Sequence, residues 1–298
     1  MTDRRGFNSF ILGGSAGVLL ASCSSLTTDN TVKTIDCHAH VFTRDLPMPD
    51  RRRAPSGYDA PLQSYLAQLD SHGMTHGVLI QPSFLGADNS YLLNSLKQDR
   101  QRLRGIVVVS ENTPPEELEF MNAMGVVGMR LNLVGLATPD LGAPAWQRLL
   151  ATAKRLEWQV EVHREAQLLE SVIDPLLAVG VKVVVDHFGR PDPKLGIDDP
   201  GFRYLLGLGK TRQVWVKLSG AYRNGTKGTG EEVARKAFPL LRAEFGLTRL
   251  IWGSDWPHTL FESTESYERA VTLLHAYVPD SNDRAQILGG TPQELFRF

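Results

Sequence analysis

The chain has 298 residues, 42% of them hydrophobic and 22% charged, with a formal net charge of −1. That length suits one globular domain of barrel size, or at most two, and the near-zero charge gives no reason to expect nucleic acid as a partner. Two cysteines, Cys23 and Cys37, are too few for a disulfide framework.

Residues 1–33 read as a signal and tether rather than as fold. Arg4-Arg5 before Gly6-Phe7 has the form of a twin-arginine n-region. The apolar run that follows, about twelve residues softened by Gly13, Gly14 and Gly17, is too short to cross a hydrocarbon core of roughly 30 Å. A secretory signal fits it better. Leu20-Ala21-Ser22-Cys23 looks like a lipoprotein cleavage box, with Cys23 as the acylated first residue of the mature protein and Ser24 of the outer-membrane type. The expectation is a periplasmic, lipid-anchored protein that meets a membrane only through Cys23. Export by this route implies folding beforehand, when a cofactor can be loaded.

From residue 34 onward, short apolar or β-branched runs alternate with helical patterns. The predicted strands are 34–41, 77–81, 105–109, 127–133, 159–163, 182–186, 214–218 and 250–253. The predicted helices are 62–71, 91–102, 115–123, 144–156, 168–179, 201–209, 231–245 and 264–277, with a short closing helix over 287–298. Eight such units over 34–298, with no linker-like shift in composition, predict a single (β/α)8 barrel. An open doubly wound sheet is the rival, but no glycine-rich phosphate turn follows the first strand.

In such a barrel the active site lies at the C-terminal strand ends. Those ends carry His38 and His40, Ser83, Arg130, His163, His187, Tyr222 and Arg223, and Asp255 with His258. His38 and His40 lie two apart on one strand and so point to the same side. Imidazoles and a carboxylate that converge can hold zinc or activate water, with Asp255 taking the proton. Arg130 and Arg223 present rigid forks suited to carboxylates, which suggests an acidic substrate. Tyr222 and Ser83 can donate hydrogen bonds to substrate oxygens.

Other features read as bland. Strand alternation points Cys37 outward into the strand–helix layer. Lys217 looks like loop support. Arg51-Arg52-Arg53 sits in a long Pro-rich loop and reads as a solvated run, though one on the active-site side that could draw in anions. The loops 190–200 and 224–230 read as a lid and a flap.

The motifs IDCHAH, VVVDHFGRP, VKLSGAYR and IWGSDWPHT, in this order, resemble the amidohydrolase superfamily. The likeness is greatest to its amidohydrolase-related branch, which holds 2-pyrone-4,6-dicarboxylate lactonase and sugar-lactone hydrolases. The resemblance implies a distorted (β/α)8 barrel, with Asp255 as general base and His38, His40 and His187 polarising a carbonyl. Arg130, Arg223, Tyr222, Ser83 and His163 would bind the substrate. Binuclear members of the superfamily use a carboxylated lysine on the fourth strand, where this chain has Arg130, so two metals are not expected. The dicarboxylate lactonase resembles members that hydrolyse without metal, but this chain differs in carrying His163 on the fifth strand. A single Zn2+ held by His38, His40, His163 and Asp255 and a metal-free site both stay open. The implied function is hydrolysis of a small carboxylated lactone or related ester. The alternatives are a metal-dependent non-oxidative decarboxylase and a non-catalytic binding lipoprotein.

Overall fold

Valine and isoleucine dominate the short runs between polar turns, and each of these runs forms a strand. The computed structural model describes residues 1–2, 33–50, 53–226 and 228–298. Its eight strands are β1 (Ile35–Ala39), β2 (His76–Ile80), β3 (Leu103–Val107), β4 (Val126–Asn132), β5 (Gln159–His163), β6 (Lys182–Val185), β7 (Val214–Leu218) and β8 (Leu250–Trp252). All pair in parallel and in sequence order. Beyond β8 the ring closes on β1: Asp255 N donates to His38 O at 2.8 Å and His40 N to Trp256 O at 2.8 Å. The architecture is the (β/α)8 barrel expected from the alternation.

The barrel helices are α1 (Leu62–Ser71), α2 (Ser90–Gln98), α3 (Pro115–Ala123), α4 (Pro144–Arg155), α5 (Glu170–Val179), α6 (Pro200–Gly207), α7 (Thr229–Phe245) and α8 (Tyr267–Tyr277). The last begins three residues later than predicted, because Ser266 Oγ caps it by accepting from Arg269 N at 3.1 Å. The single closing helix expected over 287–298 is instead α9 (Ser281–Ala285), a π turn over Gln286–Gly290 and α10 (Thr291–Phe296). Gly289-Gly290 and Pro292 weaken a continuous ladder there. Among the described residues no helix is long and apolar enough to cross a membrane. The predicted signal sequence and Cys23 lie outside the described residues.

Alternate strand residues face the helices or the barrel interior. Val160, Val162, Val183, Val185, Val214 and Val216 join the large apolar layer between strands and helices. The lower interior is a second apolar cluster, including Ile35, Val78, Ile80, Ile106, Val184, Trp215 and Ile251, plugged from below by Leu295 and Phe296 of α10. Cys37 belongs to this interior cluster, against the expectation that it faces outward. The cause is a β-bulge. Asp36 pairs with Gly77 and Ala39 with Leu79, so Cys37 and His38 together oppose Val78, and alternation breaks at that point.

Candidate active site

The site is built on the seam between β1 and β8. Gly253 follows β8 and lies so close to β1 that a Cβ on it would sit 2.5 Å from His38 Cβ and 2.7 Å from His38 N. Only glycine lets the two strand ends approach this far. The buried Asp36 carboxylate then fastens the turn that carries Asp255. Its Oδ1 accepts from Ser254 N at 2.8 Å and His38 N at 3.1 Å, and its Oδ2 from Ser254 Oγ at 2.7 Å and Tyr267 O–H at 3.1 Å. Asp255 itself is held at φ +61°, a left-handed conformation uncommon for a residue with a side chain.

Asp255 uses its two oxygens differently. Oδ2 accepts from Arg223 Nε and, at 2.7 Å, from Tyr222 O–H. Oδ1 is buried without a hydrogen-bond partner, 3.6 Å from His38 Nε2 and 3.8 Å from His40 Nε2. Burial pushes this carboxyl up, but its neighbours, the Arg223 guanidinium foremost, hold it well below the usual carboxylate range. It is therefore ionised throughout the neutral range.

The histidines are neutral. Burial lowers His40 and His187 to about 3, and with help from Lys217 it lowers His38 well below its ordinary value. Their hydrogen bonds assign the tautomers. His40 Nδ1 lies 2.8 Å from Ile80 O and must donate there, which leaves a lone pair on Nε2. His38 Nε2 is 3.2 Å from that lone pair and so carries a proton. Its Nδ1 in turn accepts from Lys217 Nζ at 3.1 Å. His187 Nδ1 lies 2.8 Å from Ser219 Oγ.

Beneath these groups runs a buried charged layer. Lys217 Nζ contacts Glu161 Oε1 at 2.7 Å and Asp186 Oδ1 at 3.2 Å. Burial alone would discharge this lysine, but Asp186 and Glu161 raise its pKa above the ordinary value. Burial pushes Glu161 up to about 7 against the pull of Lys217. Arg130 donates to Asp186 Oδ2 from Nε at 3.0 Å and from Nη2 at 2.7 Å. Lys217 is thus part of the site's foundation rather than loop support.

The structure brings most of the predicted site together. His40, Ser83, Arg130, His187, Arg223 and Asp255 line one open cavity, with Arg53, Phe84, Asn132 and Thr259. Tyr222 touches it through Asp255. His163 stands apart from the group His38, His40 and Asp255, whose donor atoms lie within 4.8 Å of one another. Its Nδ1 faces Arg130 Nη2 at 3.2 Å and Arg53 Nη1 at 3.4 Å, while its Nε2 is buried without a hydrogen-bond partner. A nitrogen that accepts from guanidinium groups is turned away from any ion at the triad.

Three contributors escaped the sequence reading, Asp36, Glu161 and Asp186, and a fourth, Arg53, was read only as part of a solvated run that could draw in anions. The first three had a signal. Each is an acidic residue inside or directly after an apolar strand, where an unpartnered carboxylate would be prohibitively costly. Arg53 had only its place in a basic run.

The His38, His40 and Asp255 atoms also suit a cation. An Nε2–Nε2 separation of 3.2 Å matches two imidazoles bound to one zinc at about 2.0–2.1 Å each, provided that His38 moves its proton to Nδ1, which lies 3.5 Å from Asp186 Oδ1, and Asp255 Oδ1 is an orphaned anionic donor.

The chain is similar over nearly its whole barrel to known proteins. The crystal structure of a "probable 2-pyrone-4,6-dicarboxylic acid hydrolase" from Acinetobacter baumannii with citric acid bound is 42% identical, with a TM-score of 0.87 over 89% of this chain and 100% of that one. A 2-pyrone-4,6-dicarboxylate hydrolase of Comamonas testosteroni is 32% identical over 88% of this chain and 89% of its own. A 4-sulfomuconolactone hydrolase of Rhizobium radiobacter is 30% identical over the same shares, 88% and 89%. The amidohydrolase family profile (Amidohydro_2) matches residues 35–298. From its first strand to its last residue, this chain belongs to the amidohydrolase family.

Proposed function

We propose that the protein hydrolyses a small carboxylated lactone or a related carboxylic ester. The observation that carries this reading is the unpartnered, ionised Oδ1 of Asp255, buried between two neutral imidazoles at the edge of an arginine-lined cavity. A buried anion with a free lone pair is a general base in waiting. Two relatives at 30% and 32% identity, named as hydrolases of a sulfomuconolactone and of a pyrone dicarboxylate, support the ester-bond chemistry.

Water placed between His40 and Asp255 would pass one proton to Asp255 Oδ1 as its oxygen bonds to the carbonyl carbon, and its other O–H would replace His38 as donor to the His40 Nε2 lone pair. His38 Nε2–H would donate to the carbonyl oxygen and stabilise the negative charge that develops there, joined by His187. As the ring C–O bond breaks, the proton on Asp255 passes to the leaving oxygen. Arg223 ties down Asp255 Oδ2 in the free protein. A substrate carboxylate that competes for Arg223 loosens that tie and raises the basicity of Asp255 when it is needed. Arg130 keeps Nη1 for the substrate while Asp186 occupies its other nitrogens. Ser83 and Tyr222 offer hydroxyls to the same ligand.

His38, His40 and Asp255 are the residues that would hold a zinc ion. Bound there, zinc would supply Lewis-acid polarisation of the carbonyl. Metal content by elemental mass spectrometry, with turnover of 2-pyrone-4,6-dicarboxylate before and after chelation, tests both levels of the reading. Ring opening is expected. Activity lost on chelation and restored by zinc supports the metal-assisted form; activity that survives supports the histidines acting directly. Release of CO2 with no ring opening would replace hydrolysis with decarboxylation.

The twin-arginine pair and the cysteine box support export to the periplasm with Cys23 lipidated. Mass spectrometry of the membrane fraction should find an acylated Cys23 as the first residue, and an unmodified Met1 on soluble protein would refute this.

A further inference from the structure

The two arginines first assigned to the substrate are already engaged. Arg130 is paired with Asp186, and Arg223 with Asp255. Two more guanidinium groups, Arg53 and Arg190, belong to the same electrostatic cluster. Among the described residues neither forms an ion pair. Of these two, Arg53 lines the cavity. Its one hydrogen bond is to a neutral acceptor, His163 Nδ1, at 3.4 Å.

Arg53 arrives on the loop between β1 and α1, and that loop is anchored. Phe42 and Ala60 exchange backbone hydrogen bonds at 2.9 Å across its base. Its apolar side chains, Ala54 beside Arg53 among them, pack against Phe42, Phe84 and Leu85. The guanidinium is therefore presented by a packed scaffold. Burial, then Arg223, Arg130 and Arg190, lower its pKa to about 9. A cation held among three other guanidinium groups, with the nearby Asp255 already claimed by Arg223, is a poor arrangement for stability and a good one for capturing an anion.

We propose that Arg53 is a specificity-determining residue, seated by His163, which binds an acid group of the substrate at the cavity mouth. Among the described residues that line the cavity its side chain is the cation with no ion pair, whereas Arg130 and Arg223 mainly orient Asp186 and Asp255. This rests on the lactone-hydrolase reading for its substrate but not for its anion chemistry, so binding and turnover are measured separately.

The experiment is calorimetric titration of the full chain with citrate, alongside steady-state kinetics on 2-pyrone-4,6-dicarboxylate. Wild type, Arg53→Gln, Arg53→Lys and a distant surface control, Arg242→Gln, are compared, with thermal melts to check folding. Loss of a charge-assisted hydrogen bond should weaken citrate binding by about tenfold or more in Arg53→Gln. KM should rise by a similar factor with kcat within about twofold, and Arg53→Lys should recover part of the loss. Arg242→Gln should match wild type. Citrate affinity unchanged in a folded Arg53→Gln overturns the assignment, as does a wild-type protein that binds no citrate. Affinity lost in Arg53→Gln with no lactone opened by wild type would sustain Arg53 as an anion reader while removing the hydrolase reading. Ring opening and binding equal in all four proteins would do the reverse.

Discussion

The lower and upper halves of the barrel interior are buried to the same degree and are chemical opposites. Below, Ile106, Val184 and Ile251 are fully inaccessible and pack in an apolar cluster. Above, Glu161, Lys217, Asp186 and His38 are equally inaccessible and carry charge or lone pairs. Burial alone cannot tell a core from a site. The distinction lies in the charge of what is left unsatisfied: at the start of β5 the unpaired group is the neutral Gln159 amide, while the upper half leaves Asp255 Oδ1 and His163 Nε2 without partners. Such groups are tolerated where a ligand completes them.

The contrast can be broken most strongly at Asp255. Asp255→Asn removes the base and should cut turnover by about 10³-fold or more while the circular dichroism spectrum stays native. Turnover near that of wild type would remove Asp255 from the chemistry.

The charged layer comes next. Lys217→Met strands Glu161 without its cation, leaves Asp186 to Arg130 alone, and should cost about 3–5 kcal/mol in denaturant unfolding. Removing Glu161 as well, in Lys217→Met with Glu161→Leu, should recover part of that loss, since a missing ion pair is cheaper than half of one. A double variant no more stable than the single would show that the layer is not held by this pairing.

pH sharpens the same comparison. His40 and His187 have folded pKa values of about 3 and His258 about 4, against an ordinary 6.5. In each case the unfolded chain takes up the proton first. Their stabilisation is full above about pH 6.5 and is lost as the pH falls towards 3–4, at roughly 1.4 kcal/mol per pH unit for each fully titrating group. Glu161, raised to about 7, has the opposite sign between about 4.5 and 7 and offsets one of the three. Unfolding free energy should therefore decline from pH 6.5 to 4.5, and a flat profile there would contradict the neutral histidines. The smallest effect is expected below. Ile106→Val should cost about 0.5–1.5 kcal/mol and leave kcat unchanged.

Much of this was legible in the chain. All eight strands were readable as β-branched runs, since periodicity is a local property. The polar residues at their tips pointed to the site because a barrel delivers strand ends to one face. Helix ends were less legible at Ser266 and at Gly289-Gly290, where a cap and a π turn override the pattern. Cys37 was misplaced, and the partners of His163 were not foreseen, for a related reason. One local periodicity could not reveal that a bulge turns Cys37 inward, nor that two arginines claim His163 Nδ1.

By itself, then, the sequence determined which residues are strands, which are helices and which titratable groups stand at strand tips, because each depends on neighbours close along the chain. Only the tertiary structure decided which carboxylate belongs to which cation, which nitrogen of each histidine bears the proton, and which arginine remains free for a ligand. Those depend on contacts such as Lys217 with Glu161 and Arg223 with Asp255, whose partners lie tens of residues apart and meet only when the barrel closes.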